Sequence, residues 1–236
     1  MSRWIGALRL ETTIAVRQRF LHAGLVSGLL WLVVLVPMSR NLRAIVEPYV
    51  LMGDITIIGF FFIGGSVFFE KQERTLGAVI CSPLRFWEFL SAKMAVLMAL
   101  SLFIGVFVAL VTQGFGVYLL PVVAGLALGT LVMLLVGFAS ALPFSSVSDW
   151  FLSTTVPMVI LSLPVLYLLG VWPNPALYLL PTQGPLLLLG SAFDQVSLAG
   201  WQLIYALTYP LLCAAALYRL AEVLFGRYVI ERSGVL

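Results

Sequence analysis

The chain has 236 residues, 62% of them hydrophobic and only 10% charged, with a mean hydropathy of +1.10 and a net charge of +3. A soluble domain carries about 25% charged residues, so the main solvent here is lipid rather than water. The small positive excess is no nucleic-acid signature; such basic residues set topology and meet anionic headgroups.

The opening segment, Ser2–Arg19 within residues 1–20, holds Arg3, Arg9, Arg17 and Arg19. Trp4, Ile5 and Leu8 recur at helical spacing opposite Arg3 and Arg9. This predicts an interfacial N-terminal helix lying along the membrane; the plainer alternative is a charged tail. Arginines and Glu11 precede the first apolar run, which is not the pattern of a cleavable signal peptide. A spanning helix needs about 20 mostly apolar residues. Six stretches qualify: Leu21–Met38, Tyr49–Phe69, Met94–Thr112, Val117–Leu142, Trp150–Val171 and Trp201–Phe225. The fold class is therefore an all-α integral membrane protein, read as one domain over 1–236 with no repeat.

With both termini inside, 11 of the 13 Lys and Arg residues face the cytoplasm, and only Arg40 and Arg43 lie outside. The excess of basic residues on cytoplasmic loops selects that orientation. Residues 172–200 form the last external loop, with Pro173, Pro175, Pro181 and Pro185 between apolar stretches too short to span. One or two short external helices are predicted there, with proline at their first positions. The loop either caps a pathway from outside or is a surface flap.

The most distinctive segment is Glu70–Lys93, EKQERTLGAVICSPLRFWEFLSAK, which gathers seven of the chain's 23 charged residues between two apolar runs. Glu70–Arg74 extends the second span, Thr75-Leu76-Gly77 offers a turn, and Ser82-Pro83 suits a helix start. Leu84, Trp87 and Leu90 form an apolar stripe, with Arg85 and Glu88 off it and Lys93 at the entrance of the third span. A short helix parallel to the membrane fits this pattern, and so does a passive charged loop.

The same run resembles the cytoplasmic loop of ABC-2-type transporter permeases. In that family an acidic residue leaves the second span, here Glu70 or Glu73. A turn follows, matched approximately by Thr75, Leu76 and Gly77, whose order departs from the usual Gly-Thr-Leu. Then comes a Ser82-Pro83-Leu84 step and a Glu88…Lys93 pair. The segments GDITIIGFFFIGGSVFFEKQERTLG and FGRYVIERSGVL are similar to the permease subunits of bacterial fluoroquinolone-type drug exporters. The resemblance implies that residues 70–93 are a coupling segment seated on separate ABC ATPase subunits. It also implies a second permease, as homodimer or heterodimer, in a bacterial plasma membrane, and an amphipathic small-molecule substrate such as a drug. The chain contains no G-x-x-x-x-G-K-[ST], so it is expected to be no enzyme. It would bind no cofactor itself, with ATP and Mg held by the partner ATPase. Gly24-x-x-x-Gly28 and Gly125-x-x-x-Gly129 are candidate sites of close helix contact.

For the substrate path, Asp54 is the acidic residue well inside a predicted span, a functional candidate by default. It either meets a cationic substrate group, pairs with Arg40 or Arg43, or sits at headgroup level. Phe61 belongs to an aromatic cluster that lines a path or packs between helices. His22 lacks neighbours at metal-ligand spacing, and Cys81 and Cys213 read as free thiols. Trp31, Tyr118, Trp150, Trp172 and Trp201 suit an interfacial belt. Other readings are an exporter of haem, lipid-linked glycan or peptide antibiotic, and a non-transporting scaffold. An intramembrane enzyme would need catalytic groupings such as paired aspartates or H-E-x-x-H, which do not occur.

Overall fold

The computed structural model describes residues 3–73 and 84–230. Thr75, Leu76, Gly77, Ser82 and Pro83 lie outside the described residues. Helix α1 (Arg3–Arg17) meets α2 (Phe20–Leu35) at a 62° bend, with Arg19 at φ 62° between them. α3 (Arg40–Thr56) runs through a π-helical turn (Ile57–Phe62) into α4 (Ile63–Gln72), one helix of 33 residues. Next come α5 (Phe86–Gln113) and α6 (Leu119–Ala141), then α7 (Val147–Ser162) with its short continuation α8 (Pro164–Leu168). A 3-10 turn (Pro175–Leu179) leads to α9 (Gln183–Ala192), and α10 (Gly200–Phe225) runs on into a π-helical turn (Gly226–Ile230). The end that holds α1 and the C-terminal end of α10 is called proximal below, and the other distal.

Five helices are long and apolar enough to cross a bilayer, or up to six if the bent pair α1–α2 forms one span. α2 alone has 16 residues, about 24 Å at 1.5 Å per residue, short of a hydrocarbon core of about 30 Å. Leu25, Val26, Leu29, Leu30 and Val33 on α2, Leu152 and Val156 on α7, and Ile204 and Leu212 on α10 are all exposed. A continuous apolar surface of this extent is stable against lipid rather than water.

Two helix starts differ from the predicted ones by eight residues or more. The second span begins at Arg40, nine residues before Tyr49, with Pro48 inside α3. Proline has no N–H to give the carbonyl four residues back. That orphaned carbonyl, on Ala44, accepts instead from Gln195 Nε2 at 2.6 Å. The third span begins at Phe86 rather than Met94. Glu88 accepts from the Arg85 backbone N–H at 2.9 Å and starts the helix there. No residue from Phe86 to Met94 breaks it, so Trp87 and Leu90 lie on one continuous helix with the third span.

The core lies where the π-helical turn, α4 and α5 meet α6, around Phe60, Ile63, Ile104, Leu126, Met133 and Phe138. At Gly137 a Cβ would stand 2.6 Å from the Phe60 carbonyl oxygen, so this crossing is possible only with glycine. The two small-residue pairs are both used within the chain. Gly24 and Gly28 seat Leu100 and Ile104 of α5, while Gly125 and Gly129 seat Leu189 and Pro185 of α9. Trp150 is also a core residue and not part of a belt. It is buried, stacks on Phe60 at 5.1 Å and donates to Ser140 Oγ at 3.0 Å. The belt reading suits Tyr118, Trp172 and Trp201, which are exposed near helix ends.

The loop after α8 folds back into the protein. α9 is buried almost throughout, against α6 and α10, with Thr182 Oγ1 donating to the Leu161 carbonyl at 2.6 Å. Tyr205 donates to the Tyr178 carbonyl at 2.6 Å and Tyr209 to that of Leu179 at 2.7 Å, tying the 3-10 turn to α10. A helix of 10 residues is about 15 Å long. It enters the bundle without crossing it.

Candidate functional site

The proximal end holds a buried charge cluster that joins three elements. On α1 the residues turned inward are Ala7, Glu11 and Ala15, four apart, so two small side chains bring the helix close to α5 and one carboxylate points at it. Lys93 of α5 is 2% exposed and uses all three of its protons. It donates to Glu11 Oε2 at 2.9 Å, to Ser66 Oγ at 2.9 Å and to Glu70 Oε1 at 2.5 Å. Charges this deep are stable only when paired and hydrogen-bonded together. Trp4 Nε1 adds a bond to Ser91 Oγ at 3.1 Å. Beside the cluster, Lys71 donates to the carbonyls of Ala141, Leu142 and Phe144 at 2.7–2.9 Å. The first two lie at the C-terminal end of α6, where a cation is favoured by the helix dipole, and Phe144 follows just beyond it.

This geometry divides the expected coupling residues. Glu70 and Lys93, placed on the segment's docking surface by resemblance, are inside the protein and bound to each other. They fix the two roots of the segment. Glu88 is buried and serves as an N-terminal cap. Glu73 ends α4 exposed, Leu84 is half-buried and Trp87 is exposed, so these three remain at the accessible proximal surface. Glu11 was not a candidate in the sequence.

A second polar layer lies toward the distal end. Arg43 donates to the carbonyls of Leu35, Val36, Met38 and Thr112, collecting the C-terminal ends of α2 and α5. Glu47 is fully buried and accepts from Thr112 Oγ1, and from Gln113 Nε2 at 2.9 Å. Because α3 starts early, Glu47 is a second acid within that helix, which the sequence boundaries had excluded. Arg43 is thus not the partner of Asp54. Asp54 is 1% exposed and accepts from Ser27 Oγ of α2 at 2.9 Å, and it forms no ion pair among the described residues.

Two open apolar hollows flank the bundle. One, of about 460 Å³, is lined by Phe61, Phe151, Thr154, Met158 and neighbouring residues of α7 and α8. The other, of about 590 Å³, lies among Met94, Met98, Leu102, Leu131, Leu135 and Tyr218. Phe61 therefore faces a hollow, while Asp54 lines neither, and the two substrate-path candidates are not brought into one site.

Among the described residues, an all-helical bundle with lipid-compatible faces, charges locked at its ends and a short buried helix is a multi-pass membrane protein. Residues 2–233 match the fluoroquinolones export permease family, and the chain belongs to that family. Two relatives, each named a fluoroquinolones export permease protein, come from Mycobacterium tuberculosis strains CDC 1551 and H37Rv. Each is 65% identical over 237 residues, covering 100% of both chains. The chain is accordingly an export permease by family.

Proposed function

We propose that the chain is the membrane-spanning subunit of an ATP-driven ABC exporter of amphipathic small molecules, with fluoroquinolone-type drugs as the leading substrate class. The drug class comes from the names of the relatives and the energy source from the sequence resemblance. ATP and Mg would be held by separate ATPase subunits seated on the proximal end. That end would face the cytoplasm, with both termini, and a second permease would complete the pathway.

The observation that carries this reading is the clamp at the roots of residues 70–93. Lys93 binds Glu70 across the segment and Glu11 from α1. A push applied between Glu73 and Leu84 is therefore transmitted to α4 and α5 together, rather than being absorbed by one helix end. A ligand shifts an equilibrium only by its differential affinity for the two states; ATP would supply this by closing the ATPase pair.

The test is purification from the native membrane in mild detergent, with identification of what accompanies the chain. A Walker-type ATPase is expected, and Glu73→Ala or Leu84→Asp is expected to release it and abolish drug export while the chain still inserts. A chain that purifies alone, or exports normally with both substitutions, defeats the proposal.

A further inference from the structure

We infer that the outer face of α1 is a binding surface for the headgroups of anionic phospholipid. The inner face is closed by α5 through Ala7, Glu11 and Ala15. The outer face is an open hollow of about 550 Å³ lined by Ile5, Leu8, Arg9, Thr12, Thr13, Val16 and Arg17. Ile5 is 45% and Val16 46% exposed. Arg9 and Arg17 are exposed and form no ion pair among the described residues. The hydroxyls of Thr12 and Thr13 are already directed to the carbonyls of Leu8 and Arg9.

The occupant follows from position and charge. Within two turns of Arg17 the chain enters α2, whose Leu25, Val26, Leu29 and Leu30 are exposed and apolar. The edge of the hydrocarbon layer therefore lies close to the α1–α2 junction. The 62° bend turns α1 from the line of α2 toward the bilayer plane, so its outer face lies at headgroup depth. There apolar side chains enter the upper acyl region while long basic side chains reach phosphates. The sole acid of α1, Glu11, is turned inward onto Lys93, so the outer face is purely basic. A zwitterionic surface offers such a face no net charge. An anionic one enriches about fivefold for each basic residue near it.

The experiment uses the full chain with Cys81→Ser, Cys213→Ser and Val16→Cys, labelled at residue 16 with an environment-sensitive fluorophore. It is reconstituted in phosphatidylcholine vesicles containing equal small fractions of nitroxide-headgroup phosphatidylglycerol or nitroxide-headgroup phosphatidylcholine. Quenching several-fold stronger by the phosphatidylglycerol label is expected. Arg9→Gln with Arg17→Gln should bring the two lipids to near equality, whereas Arg9→Lys with Arg17→Lys should retain the preference. Neither arginine belongs to the Lys93 cluster, so these variants leave its packing intact. Equal quenching by both lipids in the parent chain overturns the charge selectivity. Absence of quenching by either shows that protein, such as a second copy or a partner subunit, covers the face, and overturns the inference.

Discussion

Replacing Lys93 by methionine tests the central element of the structure. The substitution keeps an unbranched side chain of similar length and removes the charge that three acceptors share. Glu11 and Glu70 both touch the one nitrogen, so their carboxylates are left roughly 5 Å apart. At an effective dielectric of about 20 they repel by about 3 kcal/mol. With the lost charge-assisted hydrogen bonds, the total loss of stability is expected at about 3–5 kcal/mol, the range for breaking a buried pair. Adding Glu11→Gln to Lys93→Met removes the repulsion and should recover about 2–3 kcal/mol of it. The assay is reversible unfolding in mixed micelles by increasing SDS, followed by tryptophan fluorescence. A loss under about 1 kcal/mol, the scale of a solvent-exposed pair, or a double variant no better than the single, would refute the idea of a buried three-way clamp.

Three further outcomes follow from other contacts. Arg43→Gln cannot reach the four carbonyls collected at the ends of α2 and α5. It should cost about 2–4 kcal/mol, with faster hydrogen exchange over residues 33–38 as the readout. Gln195→Leu strips the Ala44 carbonyl of the donor that Pro48 cannot provide, at about 1–3 kcal/mol. Pro48→Ala in the same chain restores a helical N–H and should offset that loss in thermal denaturation; additive losses would sink this account. Asp54→Asn keeps an oxygen for the Ser27 bond, so stability should change by less than about 1 kcal/mol. Export of a cationic fluorescent drug should fall several-fold, and unchanged export removes Asp54 from the substrate path.

Hydropathy alone revealed the long apolar helices, because average transfer free energy over 20 residues does not depend on which neighbours they meet. The boundaries were less legible. A single sequence does not show that Pro48 is accommodated inside α3 by Gln195, which takes over the missing donor 147 positions later. Glu47 fell outside the span for the same reason. At the proximal end, the acidic and basic composition of residues 70–93 read as an exposed face. The structure turns Glu70 and Lys93 inward because Glu11, 82 positions before Lys93, completes their neutralisation. A signal for Glu11 existed: it is the one acid among the arginines of α1 and lies between Ala7 and Ala15 at spacings of four. Small residues flanking a single acid on one helical face mark a close approach to a cation. Nothing local identified which cation that would be.

The buried helix α9 depends on parts of the chain made both before and after it. A helix of 10 residues cannot cross a bilayer by itself, and its polar backbone at Thr182 and Gln183 is sheltered only by neighbouring protein. One wall of that shelter, α6, precedes it in the chain, but the other, α10, is synthesised after it. Until α10 has been made, the side of α9 that packs on it has no protein partner there. A chain that stopped before Gly200 would therefore keep the α6 wall of this shelter and lack the α10 wall.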